Sequence, residues 1–236
     1  MKKVSTIIAI GVFSIWSVGA HAQLGGLGGL GGAKGNKTES KDAGSKEDFG
    51  AKADKFSADA AVIRDAVAWS LIQISAAVGD KKQIAMAKKA QESLNSATNP
   101  KESAAKAGTV IKDLSAEVSL QMKAADTKEK IKNLSPEMQK KVAASLLAVG
   151  IAALKLPKLL EEGQGILQGL SSNMMANMSR IGPLKDGLSM LGEAAPKLPP
   201  IVSAGFELMK AAKVNAEAPT EGAKLTVDKN PTFPEE

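Results

Sequence analysis

Between residues 56 and 78 apolar side chains return every three or four positions. Phe56, Ile63, Val67, Leu71, Ile74 and Val78 fall on one face of a helix, and Trp69 and Ile72 widen that face. The spacing predicts a first helix over about 57–78. Gly79 is placed to end it and Asp80 to cap the next, which predicts a tight helical hairpin. The second helix, about 81–97, buries only a thin stripe of Ile84, Ala87, Gln91 and Leu94. Its other faces carry Lys and Gln, so it belongs on the surface. Asn99-Pro100-Lys101-Glu102 then reads as a helix start: Asn caps, Pro suits the first helical position, and Glu sits in the first turn. The third helix places Ala104, Ala107, Ile111, Leu114 and Val118 on one side and frays near Asp126. Ser135-Pro136-Glu137 repeats the start signal.

The fourth helix has a different texture. From Val142 to Leu154 only Ser145 is polar. A helix apolar all round is buried in a core or a membrane, and this one is too short to span a bilayer alone. It is expected as the central core helix, with Ala144, Ala148 and Ala152 as a small-residue seam, interrupted at Lys155 and Pro157. Further short helices are expected over about 158–180, 183–192 and 199–213. A weak repeat runs through this part: Lys155-Leu156-Pro157 through Gly163 matches Lys197-Leu198-Pro199 through Gly205 as K-L-P-x-apolar-apolar-x-x-G. The proline would start a helix and the glycine would permit close packing.

The ends differ from this middle. Lys2 and Lys3, the uncharged stretch Val4–Val18 and Ala20-His21-Ala22 read as a cleavable signal peptide over 1–22, exported by the ordinary secretory route. Residues 23–47 open with three Leu-Gly-Gly tripeptides and continue in Lys, Ser, Glu, Asp and Gly, a composition that buries no core. Residues 214–236 are polar and proline-bearing and are expected to be disordered. The fold class that follows is all-α: one bundle of about five to seven helices over 48–213 with disordered ends, in an exported protein of the periplasm, cell surface or medium. Signals for β-strands are nearly absent.

Composition narrows the chemistry. The chain has 236 residues, a net charge of +6, no cysteine and no tyrosine, and its one histidine, His21, belongs to the expected signal peptide. The side chains that most often do acid–base, nucleophilic and metal chemistry near neutral pH are therefore missing, which argues against an enzyme. Glu161-Glu162 and Glu47-Asp48 are adjacent carboxylates, and neighbours on a helix do not face each other across a substrate. There is no G-x-S-x-G elbow. The basic side chains concentrate in residues 81–141, where 13 oppose 7 acidic ones. Arg64 and Arg180 are the only arginines and aromatics are few, so nucleic acid is not expected as a partner. Calcium grammar is absent and no cofactor is implied.

Three readings of function remain open on the sequence. The first is a non-enzymatic helical protein that binds an apolar partner: lipid, a membrane surface or another envelope protein's helix. Its contacts would come from Leu146, Leu147, Ile151, Leu159, Ile166, Leu170, Met174 and Met178. The second is a structural or assembly protein of the envelope. The third is a Cu(I) binder using the thioethers of Met174, Met175 and Met178.

Overall fold

The computed structural model describes residues 48–172, 174–226 and 228–233; the expected signal peptide and the Leu-Gly-Gly leader lie outside them. The described residues form α1 (Phe49–Val78), α2 (Lys81–Asn95), α3 (Pro100–Lys123), α4 (Thr127–Asn133), α5 (Pro136–Ser171), α6 (Met174–Ala194) and α7 (Leu198–Ala211), with a 3-10 turn at Ala195–Lys197. No strand occurs among them. The all-α bundle expected from the hydrophobic periodicity is what forms.

The helix starts fall where the caps place them. Asp80 accepts a bond from the Gln83 N–H at 2.9 Å while the Gln83 carboxamide accepts one from the Asp80 N–H at 2.8 Å, a reciprocal capping box. Asn99 accepts from the Glu102 N–H ahead of Pro100, and Ser135 from the Met138 N–H ahead of Pro136. α1 begins earlier than its apolar stripe suggests. Asp48 caps it through the Ala51 N–H, and its first turns bury only Ala53 and Phe56.

α1 and α5 are the central pair, and they run antiparallel. Phe49 lies against Gly169 and Phe56 against Gly163, while Ser70, much further along α1, faces Ala148. The most enclosed stretch is the second half of α1, where every residue from Ala66 to Val78 is buried. The expectation that 142–154 would be the core helix is corrected in part: Val142, Leu146 and Val149 are buried, but Ala144 and Leu154 are exposed. α1 packs on α2, α3, α5 and α6, and in this half none of its residues is left to solvent. Each fully buried Leu or Ile there contributes about 1.5–3 kcal/mol by leaving water.

Glycines let large side chains approach α5. A Cβ on Gly163 would lie 2.5 Å from the Phe56 ring and one on Gly169 2.4 Å from the Phe49 ring. On α7, a Cβ at Gly205 would meet the buried Leu146 at 2.4 Å. Gly163 and Gly205 are the glycines of the K-L-P repeat, and both copies bury the same positions: Leu156 with Leu159, and Leu198 with Ile201. The proline acts differently in the two. Pro199 sits in the first turn of α7, as expected, but α5 continues through Pro157 and α6 through Pro183. Both internal prolines are exposed, and buried neighbours hold the helix on either side.

After α7 the chain carries no further helix or strand among the described residues. α7 closes with a Schellman motif: Lys213 takes a left-handed φ of 62°, its N–H bonds to the Lys210 carbonyl, and the Val214 N–H reaches back to Met209. The segment beyond is a strap laid on the bundle. Pro219 packs on Gly150, and Pro231 is buried. The Gln73 carboxamide bonds both main-chain groups of Thr232, accepting from its N–H at 2.9 Å and donating to its carbonyl at 3.4 Å. The sequence predicts a disordered tail over 214–236; its described residues carry no helix or strand, but they make these contacts, which the sequence does not show.

Candidate functional site: the groove between α1 and α5

A cleft of about 270 Å3 lies beside Ser70, Ala148 and Asp228, and larger openings lie where the amino half of α1 meets the carboxyl half of α5. Two adjoining clefts, about 370 and 540 Å3, run along their seam and share Lys55, Asp59 and Glu162. One continues over Val62, Ile63, Leu159, Lys155 and Lys158, where Glu221 and Leu225 of the strap complete its wall. The other continues over Phe49, Lys52, Phe56, Gly165 and Ile166. Phe56, Ile63, Leu159 and Ile166 are buried and make an apolar floor; Val62, 49% exposed, stands on its edge.

The two walls are built from one pattern. α1 reads Lys52-x-x-Lys55-Phe56-x-x-Asp59 followed by Val62-Ile63, and α5 reads Lys155-x-x-Lys158-Leu159-x-x-Glu162 followed by Gly165-Ile166. Positions three, four and seven apart share a helix face, so each wall presents its lysines and carboxylate to the seam. Because the helices are antiparallel, the copies meet head to tail. Lys52 marks one end of the groove, Lys155 and Lys158 mark the other, and Asp59 and Glu162 meet between them. Among the described residues, Lys55, Lys155 and Lys158 enter no ion pair. Two departures break the symmetry: Gly165 stands where α1 has Val62, and only the Lys155 end carries the strap.

The sequence pattern of the walls was there to be read, but single-helix periodicity assigns Lys52, Lys55, Asp59, Lys155, Lys158 and Glu162 to a solvated face. Of the residues expected to bind, Leu146, Ile151, Leu159, Ile166 and Leu170 are buried and Leu147 is half-buried. Leu159 and Ile166 line the groove floor; the other four do not line it. Met174, Met175 and Met178 are 57, 91 and 67% exposed at the start of α6, with Met174 and Met178 one turn apart. Met190, by contrast, packs near Gly108, and Met209 is buried, so the structure does not bring them to the other three. No group of three or more His, Cys, Asp or Glu able to hold a metal occurs among the described residues.

The perturbed ionisations lie away from the seam or on its rim and belong to helix ends. Lys106, with the Thr98 N–H and hydroxyl, holds the Glu102 carboxyl down from 4.5 to about 2. Lys130 lowers Asp126, and Lys132 lowers Glu129. Asp54 raises Arg180 through a bond at 3.2 Å that ties α6 to the start of α1. These are structural pairs, not a proton-transfer constellation. α1 and α5 are also long and apolar enough to cross a membrane, and here most of each apolar stretch is buried inside the bundle. No protein-family model, curated protein or solved structure matches the chain.

Proposed function

We propose that this is an exported, non-enzymatic binding protein whose α1/α5 groove receives an amphipathic helix of a partner protein. The groove itself carries the reading: a linear apolar floor between two antiparallel helices, bordered by charges in the order basic, acidic, basic. A helix laid in such a groove buries one apolar face and meets charge at its edges. Its complement is a stripe of Leu, Ile or Phe with carboxylates toward Lys52 and toward Lys155 and Lys158, and a Lys or Arg toward Asp59 and Glu162. Affinity would come from the floor. Rim pairs in water contribute only about 0–1 kcal/mol each, but they set register and exclude partners of the wrong pattern. A lipid with an anionic head suits this rim less well, because the carboxylates in its middle would repel the head.

The test is a photo-crosslinking residue at Val62 in the cells that make the protein. The expected result is one discrete protein adduct, mapped to an amphipathic helix and lost when Lys155→Glu and Lys158→Glu are introduced together. A lipid adduct would replace this reading with an amphiphile-binding one, and an adduct between two copies of the chain would replace it with an assembly role. The absence of any adduct would sink the groove as a binding site.

A further inference from the structure

The strap is held by apolar and polar contacts together. Pro231 is buried and Leu225 and Phe233 pack against the core, with Lys88 over the Phe233 ring, while Asp228 to Thr232 add a set of specific polar contacts. Beside the Gln73 pairing with Thr232, the Lys141 ammonium donates to the Thr232 hydroxyl at 2.6 Å and to the Asn230 carbonyl at 3.4 Å, and lies 3.8 Å from Asp228. Lys229 lies 3.9 Å from Asp65. Gln73 is a buried carboxamide that reads an extended backbone as a neighbouring strand would, one donor and one acceptor on the same residue. Lys141 reads a hydroxyl and a carboxylate beside it. The polar contacts select the peptide: the ion pairs are partly exposed and screened by salt, and both Gln73 groups can be re-satisfied by water when it leaves, so the cost of release falls on the apolar contacts of Leu225, Pro231 and Phe233. Earlier in the strap, Glu221 and Leu225 line the Lys155 end of the groove and supply a carboxylate beside lysines and an aliphatic side chain over the floor.

We propose that Gln73 and Lys141 form a peptide-recognition site, that the C-terminal strap is its occupant in cis, and that the strap keeps the Lys155 end of the groove filled until a partner displaces it. The ligand class is an extended peptide carrying an acidic residue and, four positions on, a hydroxyl-bearing one, as Asp228 and Thr232 do. The part concerning the groove rests on its reading as a binding site; the part concerning Gln73 and Lys141 does not.

The strap can be tested in the full chain. Hydrogen exchange at the Thr232 amide should speed up at least tenfold in Gln73→Ala, with the amides of residues 66–78 unchanged. Since Gln73 is buried, strap-side changes give a second route that leaves the helices' own side chains untouched. In Leu225→Asp with Asp228→Lys the strap should be released. A synthetic peptide of residues 217–233 should then bind that protein at least tenfold more tightly than it binds the unaltered chain, whose site is occupied. The same peptide carrying Asp228→Lys should bind poorly. Equal binding to released and unaltered protein, or none to either, would overturn the proposal, as would a Thr232 amide indifferent to Gln73→Ala. Crosslinking at Val62 should rise at least threefold in the released protein. If no variant crosslinks while the peptide results hold, the partner-helix reading fails and the strap site stands.

Discussion

The seam between α1 and α5 has two halves made from the same two helices, and they are built for different ends. In the closed half, residues 66–78 of α1 are buried on every side, and even Ser70, Gln73 and Ser75 are out of water. In the open half the same helix turns Lys52, Lys55 and Asp59 to a groove and leaves Val62 at its edge. The difference is one of enclosure. α2 and the strap cover the closed half, with Ser75 bonded to the Gln83 carbonyl and Gln73 to Thr232. The open half has its floor packed but its edges uncovered. Stability is concentrated in one half, which leaves the other free to carry a surface.

Substitutions in the core should show the largest contrast. Leu71→Ala in the closed half removes a fully buried side chain enclosed by several helices, and should cost about 2–5 kcal/mol in a denaturant titration. Val62→Ala in the open half, half-exposed, should stay within about 0.5 kcal/mol. If both cost the same, the open half is as much a part of the core as the closed one and the division fails.

A smaller contrast lies within the open half of α5. Gly163 and Gly165 differ by one intervening residue. A methyl at Gly163 would strike the Phe56 ring at 2.5 Å and Leu188 at 2.7 Å, whereas nothing lies within 4 Å of the corresponding position at Gly165. Gly163→Ala should therefore destabilise by about 1–3 kcal/mol through overpacking. Gly165→Ala should stabilise by roughly 0.5–1 kcal/mol, since it replaces glycine inside a helix without a clash. The same alanine narrows the groove, so it should also weaken the crosslink from Val62. A gain in stability with an unchanged crosslink would move the partner away from the Gly165 end.

The helix layout was largely legible in the sequence, the division of the seam was not, and the limits are physical. Helix starts were legible because Asp80, Asn99 and Ser135 act on N–H groups only three residues away. The full burial of α1 was not, because Gln73 and Ser70 look like a solvated side and the strap that meets Gln73 lies far along the chain. Pro157 and Pro183 carry a strong local signal for a break, which tertiary packing of Leu156, Leu159, Ile181 and Leu184 overrides. The apolar stripe of α5 marked Leu146, Ile151 and Leu170 as contacts, which they are, but with the core. The groove was half legible: both wall patterns stand in the sequence, yet only the antiparallel pairing of two distant helices makes them one site. The expected signal peptide and the Leu-Gly-Gly leader lie outside the described residues.

The smallest expected effect serves as the control for the others, because it arises outside both halves. Glu102, at the start of α3, has its carboxyl held at about 2 by Lys106 and by the Thr98 hydroxyl and N–H, against 4.5 when free. A depressed carboxyl contributes stability that is fully present above its unfolded value and is lost as the pH falls toward its folded one. The chain should therefore lose part of its stability between pH 4.5 and about 2, and Glu102→Gln should flatten that part of the curve while changing little at pH 7. The carboxyl is exposed, so the effect is modest and shrinks in salt. What decides the comparison is the Thr232 amide. Its exchange relative to wild type should be the same in Glu102→Gln at neutral pH, because nothing at the start of α3 touches Gln73 or Lys141. An altered Thr232 rate in this variant would mean that strap and bundle open together as one cooperative unit, and the separation of the seam into a fixed half and an adjustable half would have to be given up.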